Sequence, residues 1–359
     1  MPMSDHKRDL EEIQKELSVL DSQLLSTLEK RARLACRVRE LRSGQPAQLP
    51  LHDRAHIAAI VARASGDMPP EDLRAIFREV YGACLALELP VKVGYLGPEG
   101  GPSYAASRVR FGASADFEPV ESIGALLDEV ARRRVEFAVM PLETRSEGPV
   151  QTTIQALSQT ELRIVSVVES TFDAHLMNRT GNEADVEKVY ATAADHARAE
   201  RFLAALPRRP PVLDVKTPLV ACKLAAEDHG AAALVMEAVG LEQGLTVARR
   251  SVLDAGAEAV RYAVVGTRPA SRSGHDATAL VFSVHDKPGA LLDVLKVFAD
   301  REINVSKIQS RPSPDEAWVY LFFVELSGHP TDRNIVSAFD EVKRMTRSLK
   351  VLGSYPAIV

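Results

Sequence analysis

The sequence predicts a multidomain chain that is all-α at its N-terminus, α/β in the middle and α+β at its C-terminus. Three observations carry that prediction. Leu10, Ile13, Leu17, Leu20, Leu24 and Leu28 recur at three- and four-residue steps, the spacing of one helix face. Val91-Lys-Val-Gly-Tyr-Leu-Gly-Pro-Glu-Gly is an apolar strand running into a glycine-proline turn. Residues 277–352 then follow strand and helix patterns in the order β-α-β-β-α-β. At 359 residues the chain exceeds what one core usually supports, so two or three domains are expected.

The first segment runs from about residue 4 to 89. Ala35, Val38 and Leu41 continue the apolar stripe, and no Gly or Pro interrupts it before Ser43-Gly44-Gln45-Pro46. A helix of roughly 35 residues with one apolar stripe must bury that stripe against another helix or another chain. A shorter helix is predicted over 53–65. A third, over 70–89, starts after Pro69-Pro70.

In the second segment the glycine-proline turn precedes a helix whose N-terminus is suited to an anion. Phe137 to Met140, Leu162 to Val168, Val189-Tyr190 and Ala233 to Met236 read as further buried strands, closing with Arg261-Tyr-Ala-Val-Val-Gly266. Residues 267–276, rich in Arg, Ser, Pro and Gly, form a linker. Beyond it come a strand (Ala277 to Val284), a Pro-Gly turn, and a helix with Leu291, Leu295 and Phe298 on one face. Strands at Ile303 to Ile308 and Trp318 to Leu326, a helix after Thr331 and a closing strand at Leu349 to Leu352 complete a ferredoxin-like unit. The expected domains are 1–90, 91–268 and 277–359.

Bulk properties exclude several functions. A hydrophobic content of 46% with 26% charged residues is that of an ordinary globular protein. The net charge of −5 argues against a nucleic-acid binder, and Arg132-Arg133-Arg134 and Arg249-Arg250 read as solvated element ends. Cys36, Cys84 and Cys222 are far apart, without metal-ligand spacing, which suits a reducing cytoplasm. No apolar run approaches about 20 residues, so no membrane span is expected. The charged N-terminus lacks a signal-peptide core. His52 and His56 have helix-ligand spacing but no third ligand, and neither a metal nor another cofactor is expected.

Gly289-Ala290-Leu291, Ser310-Arg311-Pro312 and the terminal Leu352-Gly353-Ser354-Tyr355-Pro356 resemble the phenylalanine-sensing ACT domain of prephenate dehydratases. With the turn at 97–100, Pro141-Leu-Glu-x-x-Ser-Glu-Gly148 and the long N-terminal helix, nearly the whole chain resembles the bifunctional chorismate mutase–prephenate dehydratase family of phenylalanine synthesis. The resemblance implies a chorismate-mutase-like helical domain, a bilobed, periplasmic-binding-protein-like α/β domain with prephenate in its cleft, and an ACT domain. It also implies chorismate and prephenate as substrates, L-phenylalanine as effector, and a homodimer or higher homo-oligomer.

Chorismate carries two carboxylates, and its rearrangement builds charge on the breaking ether oxygen, so a mutase needs cations and a donor in a dry pocket. By resemblance Arg31, Arg42, Asp53 and Glu88 supply the catalytic groups. Gln14 stands where the partner subunit of a relative contributes arginine. His56 and Ile57 stand at an Arg-Glu position, and Cys84 at a serine. Two lost arginine contacts would weaken transition-state binding by roughly 3–6 kcal/mol, offset in part by a protonated His56. In the dehydratase half, hydroxide must leave with a proton from a neighbouring group. The family's donor is the threonine of a Thr-Arg-Phe element, here Val260-Arg261-Tyr262. Glu143, Ser146, Thr217 and Arg261 match catalytic positions, and Ser103, Thr144 and Gly148 match substrate contacts. Gly101-Pro102, Thr192 to Ala194 and Lys216 depart from the pattern. Gly289, Ala290, Leu291, Asn304, Gln309, Ser310, Arg311 and Pro312 match the amino-acid site, with Gln309 replacing a glutamate. The leading reading is therefore the bifunctional enzyme with weakened catalytic sites. The alternatives are a phenylalanine-responsive regulatory subunit with a shikimate-pathway partner enzyme, and a prephenate decarboxylase, whose relatives also lack the threonine.

Overall fold

The computed structural model describes residues 3–41, 54–88, 91–285, 287–312 and 320–357. The predicted helix interruption at 43–46, as well as His52 and Trp318, lie outside them. The chain divides into two compact units, one helical and one larger.

The helical unit holds α1 (Met3–Leu41), α2 (Arg54–Val61) and α3 (Pro70–Glu88). As its uninterrupted stripe predicts, α1 is one helix of 39 residues. The second helix is shorter than expected. The amides of Arg63 and Ala64 bond to carbonyls three residues back, which tightens the last turn and closes the helix before Ser65-Gly66. Pro70 opens α3, a position where a missing N–H costs nothing. Ala35 and Cys84 are buried between helices, whereas Leu10, Ile13, Leu17, Leu20 and Leu24 are each more than half exposed within the chain.

The larger unit begins with β1 (Lys92–Leu96), α4 (Pro102–Phe111), β2 (Asp116–Val120), α5 (Ile123–Ala131), β3 (Phe137–Thr144), β4 (Gly148–Pro149), α6 (Gln151–Ser158) and β5 (Arg163–Phe172). A second lobe follows: β6 (His175–Asn178), β7 (Lys188–Ala191), α7 (Ala193–Arg198), α8 (Glu200–Ala205), β8 (Val212–Asp214), α9 (Pro218–Glu227), β9 (Ala231–Val235), α10 (Glu237–Glu242) and β10 (Thr246–Arg249). The chain returns to the first lobe with β11 (Glu258–Gly266). It ends in β12 (Asp276–Val284), α11 (Ala290–Ala299), β13 (Val305–Pro312), β14 (Tyr320–Ser327), α12 (Arg333–Met345) and β15 (Thr346–Pro356), the predicted β-α-β-β-α-β order. The closing strand is much longer than residues 349–352 because it pairs with β12 from Val284↔Thr346 to Asp276↔Pro356.

Ten strands form one sheet in the order β13-β14-β12-β15-β5-β11-β3-β1-β2, with β4 beside β3. The second lobe has its own sheet, β10-β6-β9-β7-β8. The C-terminal unit is thus stitched to the first lobe by β15 lying parallel to β5, where Gly353 meets Ile164. A Cβ on Gly353 would stand 2.2 Å from the Ile164 carbonyl oxygen, so only glycine permits this approach. The core follows the same seam. Ala277, Ala279 and Val281 on one face of β12, together with Phe323, Leu352 and Tyr355, pack with Leu142, Ile164, Val167, Ala263 and Val265 of the first lobe. Leu280 and Phe282, on the other face, pack under α11 and α12. Burial of both faces explains why this strand reads as a nearly unbroken apolar run.

Candidate functional site

In the helical unit, α1, α2 and α3 bring Arg31, His56 and Tyr81 together. Arg31 Nη1 donates to the Val80 carbonyl at 3.3 Å, and its guanidinium stands 4.2 Å from the Tyr81 ring centroid. His56 meets the same ring edge-on at 5.7 Å. A cation over an aromatic face is held in place as well as attracted. Tyr81 is not among the residues expected from the sequence. Its signal is there, because Tyr81, Cys84 and Glu88 fall at i, i+3 and i+7 on one face of α3. Glu88 is half-buried at the end of that helix, and Gln14 is exposed on α1, its carbonyl accepting from the Ser18 hydroxyl. Arg42 and Asp53 lie outside the described residues.

The cleft of the larger unit follows from sheet topology. Parallel β1 and β3 end on the edge where antiparallel β11 begins. The turn at 97–100, Glu143-Thr144 and Val260-Arg261 therefore share one edge of the sheet, the position where open α/β sheets bind ligands. In the second lobe, parallel β7, β8 and β9 likewise end where Thr192 and Thr217 cap α7 and α9. The two edges meet at Gly100. Its φ is +79°, and a Cβ there would stand 3.2 Å from the Leu219 amide nitrogen and 3.1 Å from Val239. The N-termini of α4 and α9, one from each lobe, thus converge at the carboxyl edges of both sheets, an arrangement suited to an anionic ligand. Arg108, in the last turn of α4, and Glu242, at the end of α10, form an ion pair between the lobes.

Several expected site residues are held by the fold. The Thr217 hydroxyl accepts from the Val220 amide at 3.2 Å as the helix cap. The Ser146 amide and hydroxyl both donate to Glu258 at 3.0 Å, and Thr144 Oγ1 accepts from the Glu147 amide. Ser103 is buried, its carbonyl accepting from the Ser107 hydroxyl. Val260 is 7% exposed, opposite Thr144 on one side and Ser170 on the other. Its face of β11 is the α4 face, since Arg110 donates to Ser166, the cross-strand neighbour of Val264. Arg261 points the other way, as alternation requires.

On that other face the guanidinium of Arg261 sits between two carboxylates, Nη1 donating to Glu143 at 3.2 Å and Nη2 to Glu325 at 3.0 Å. Lys307 from β13 pairs with the same Glu143 oxygen. Glu325 also accepts from the Tyr355 hydroxyl at 2.7 Å and from Ser306. Burial pulls the Arg261 pKa down, but Glu325, Tyr355 and Glu143 outweigh it and the net direction is up. For Glu325, burial pushes the pKa up, and Arg261, the Tyr355 hydroxyl and Lys307 reverse this, leaving it below the usual range. Burial, then the neighbouring Glu325, raises the Tyr355 phenol well above its ordinary value.

In the C-terminal unit Gly289, at φ +81°, caps α11 and joins Ala290 and Leu291 in lining a pocket of about 420 Å³ with His285, Lys287, Tyr320, Phe322 and Arg347. The other expected effector residues do not line it. Asn304 donates to Ser327 at 3.4 Å. Gln309 lies against Gly148, and Arg311 Nη2 donates to the Glu147 carbonyl at 3.5 Å, so β13 packs on the arm 143–148 of the first lobe.

Family models match this architecture segment by segment: Chorismate mutase type II over residues 13–89, Prephenate dehydratase over 93–270, and ACT domain over 278–344. The class is thus a chorismate mutase–prephenate dehydratase type of enzyme with an appended ACT domain. The chain is 35% identical over 356 residues to the bifunctional chorismate mutase/prephenate dehydratase of Aquifex aeolicus, covering 97% of this chain and 98% of that one. It is 30% identical to the enzyme of that name from Pseudomonas aeruginosa, covering 95% of each. The prephenate dehydratase of Arthrobacter aurescens, solved in complex with L-Phe, superposes with a TM-score of 0.62 at 26% identity over 74% of this chain and 90% of its own. The chain belongs to the bifunctional chorismate mutase/prephenate dehydratase family.

Proposed function

We propose that this chain converts chorismate to prephenate in its helical unit and acts on prephenate in the cleft of its larger unit, with L-phenylalanine as effector in the C-terminal domain. The observation that carries the reading is the convergence of two helix N-termini at Gly100, beside the strand ends bearing Glu143 and Arg261. Prephenate is a dicarboxylate, and helix N-termini held on separate lobes offer fixed partial positive charge to such a ligand. Arg31, steadied over Tyr81 beside His56, is the cationic anchor for chorismate. The Gly289–Leu291 pocket, with Lys287 and Arg347 in its wall, has the charge and apolar lining that an amino acid requires.

We further propose that the chain works as a homo-oligomer, because the leucine stripe of α1 stays exposed within one chain and repeats at the three–four spacing of a helix seam. A cytoplasmic setting is supported by three free cysteines. The functional domains are 1–90, 91–268 and 277–359. Chorismate loss and phenylpyruvate absorbance, followed on the purified protein, test the assignment: turnover of both substrates is expected, and inertness toward both would overturn it in favour of a regulatory subunit. One observation favours a second reading of the cleft. Val260 is buried on the α4 face without a hydroxyl, so the electron pair left on the ring as carbon dioxide departs would take up a proton from solvent instead of expelling hydroxide. Carbon dioxide release from prephenate with no phenylpyruvate would select that decarboxylase chemistry.

A further inference from the structure

The seam between β13 and the arm 143–148 lies apart from the Gly289–Leu291 pocket and reaches the first lobe from the C-terminal domain. Alternation along β13 places Lys307, Gln309 and Arg311 on one face, and all three meet the arm: Lys307 at Glu143, Gln309 at Gly148, Arg311 at the Glu147 carbonyl. Two of these touch residues assigned above to the prephenate cleft. Glu143 is the last charged side chain of β3 before the substrate-contacting Thr144. Gly148, at φ +77°, is where the chain turns back into β4. The contacts are substantially desolvated, with Lys307 26%, Glu143 16% and Arg261 18% exposed at their side chains. Behind them, Glu325 accepts from both Arg261 and the Tyr355 hydroxyl. Beside them, Gln309 Oε1, Arg311 Nε and Arg261 Nε are buried without a hydrogen-bond partner among the described residues. Such groups are costly to leave unsatisfied, so the seam holds together mainly through its charged contacts.

We propose that Lys307 is a positioning residue for the prephenate cleft: from the C-terminal domain it fixes Glu143 against Arg261 and thereby sets the arm 143–148. The inference rests on the cleft being the prephenate site. It deepens that reading by naming the contact from the C-terminal domain that sets the arm beside the cleft.

The test uses the full-length protein and the Lys307→Met and Lys307→Arg variants. Amide hydrogen exchange is followed in residues 143–150, with β9 (231–235) as the folding control. Lys307→Met is expected to speed exchange in 143–150 by about tenfold or more, the effect of losing one charge-assisted contact, while β9 is unchanged. Lys307→Arg should restore the slower exchange. In turnover, Lys307→Met should raise KM for prephenate more than it lowers kcat. Equal exchange of the arm in Lys307→Met and the original protein overturns the proposal. Because exchange needs no turnover, absence of any reaction with prephenate would defeat the assignment of the cleft while the exchange comparison still decides the clamp.

Discussion

The two units of this chain finish their cores differently. The larger one closes on itself: the first lobe and the ACT domain share apolar packing across β12 and β15, and even Tyr355 is fully buried. The helical unit leaves its longest helix with a row of leucines facing outward. Each outward leucine forgoes about 1.5–3 kcal/mol of available burial. The difference teaches where the missing surface lies. One unit is complete within a chain, and the other, on the homo-oligomer proposed above, is completed by a second copy.

The most direct way to break that contrast is to charge the stripe. Leu17→Glu with Leu24→Glu should remove roughly 3–6 kcal/mol of interface burial per chain and convert the assembly to monomers, with loss of chorismate turnover. Light scattering that returns an unchanged mass would show that the stripe is not the interface. Next in size is an attack on the closed unit. Gly353→Val forces a side chain onto the Ile164 carbonyl and should lower stability by about 3–5 kcal/mol in a urea titration, leaving α1–α3 unaffected by circular dichroism.

A smaller effect should come from pH. Glu325 has a folded pKa below its unfolded value of about 4.3, so its contribution is present above that value and is lost as pH falls through the depressed one. Acid titration of the original protein should therefore show a stability loss below about pH 4 that Glu325→Gln flattens; parallel curves for the two would remove the ion pair from the account. Smallest in stability, by about 1 kcal/mol, is Val260→Thr, which places a hydroxyl on the α4 face of β11. It should raise phenylpyruvate formation from prephenate, and an unchanged rate would place the limitation elsewhere in the cleft.

Much of this contrast was legible in the sequence. The α1 stripe, the glycine-proline turn and the β-α-β-β-α-β order are local patterns, and local patterns are what a one-dimensional reading sees. The strands β2, β6, β8 and β10 were not legible, being pieces of three to five residues in which alternation is no signal; β7, of four, was found only through its apolar pair Val189-Tyr190. The seam was hidden for a different reason. Lys307, Glu325 and Tyr355 are a surface-type cation, a strand carboxylate and a terminal aromatic when read in order, and only the pairing of β15 with β5 brings them to Arg261. Arg261 was expected in the site, yet its engagement by the ACT domain could not be read from its own neighbours. Gln309 and Arg311 were likewise expected at an amino-acid site, and within one chain they meet the arm of the first lobe instead.

The junction at Gly353 has a consequence for biogenesis. On the ribosome, β5 and β11 emerge long before β15, the strand that flanks β5 in the finished sheet. Until the last residues are synthesised, the nascent first lobe carries an unpaired β5 edge and an apolar patch around Ile164 and Val167 that only Leu352 and Tyr355 will cover. Exposed strand edges recruit other chains, so premature termination after the first lobe should yield aggregates and chaperone clients rather than a working fragment.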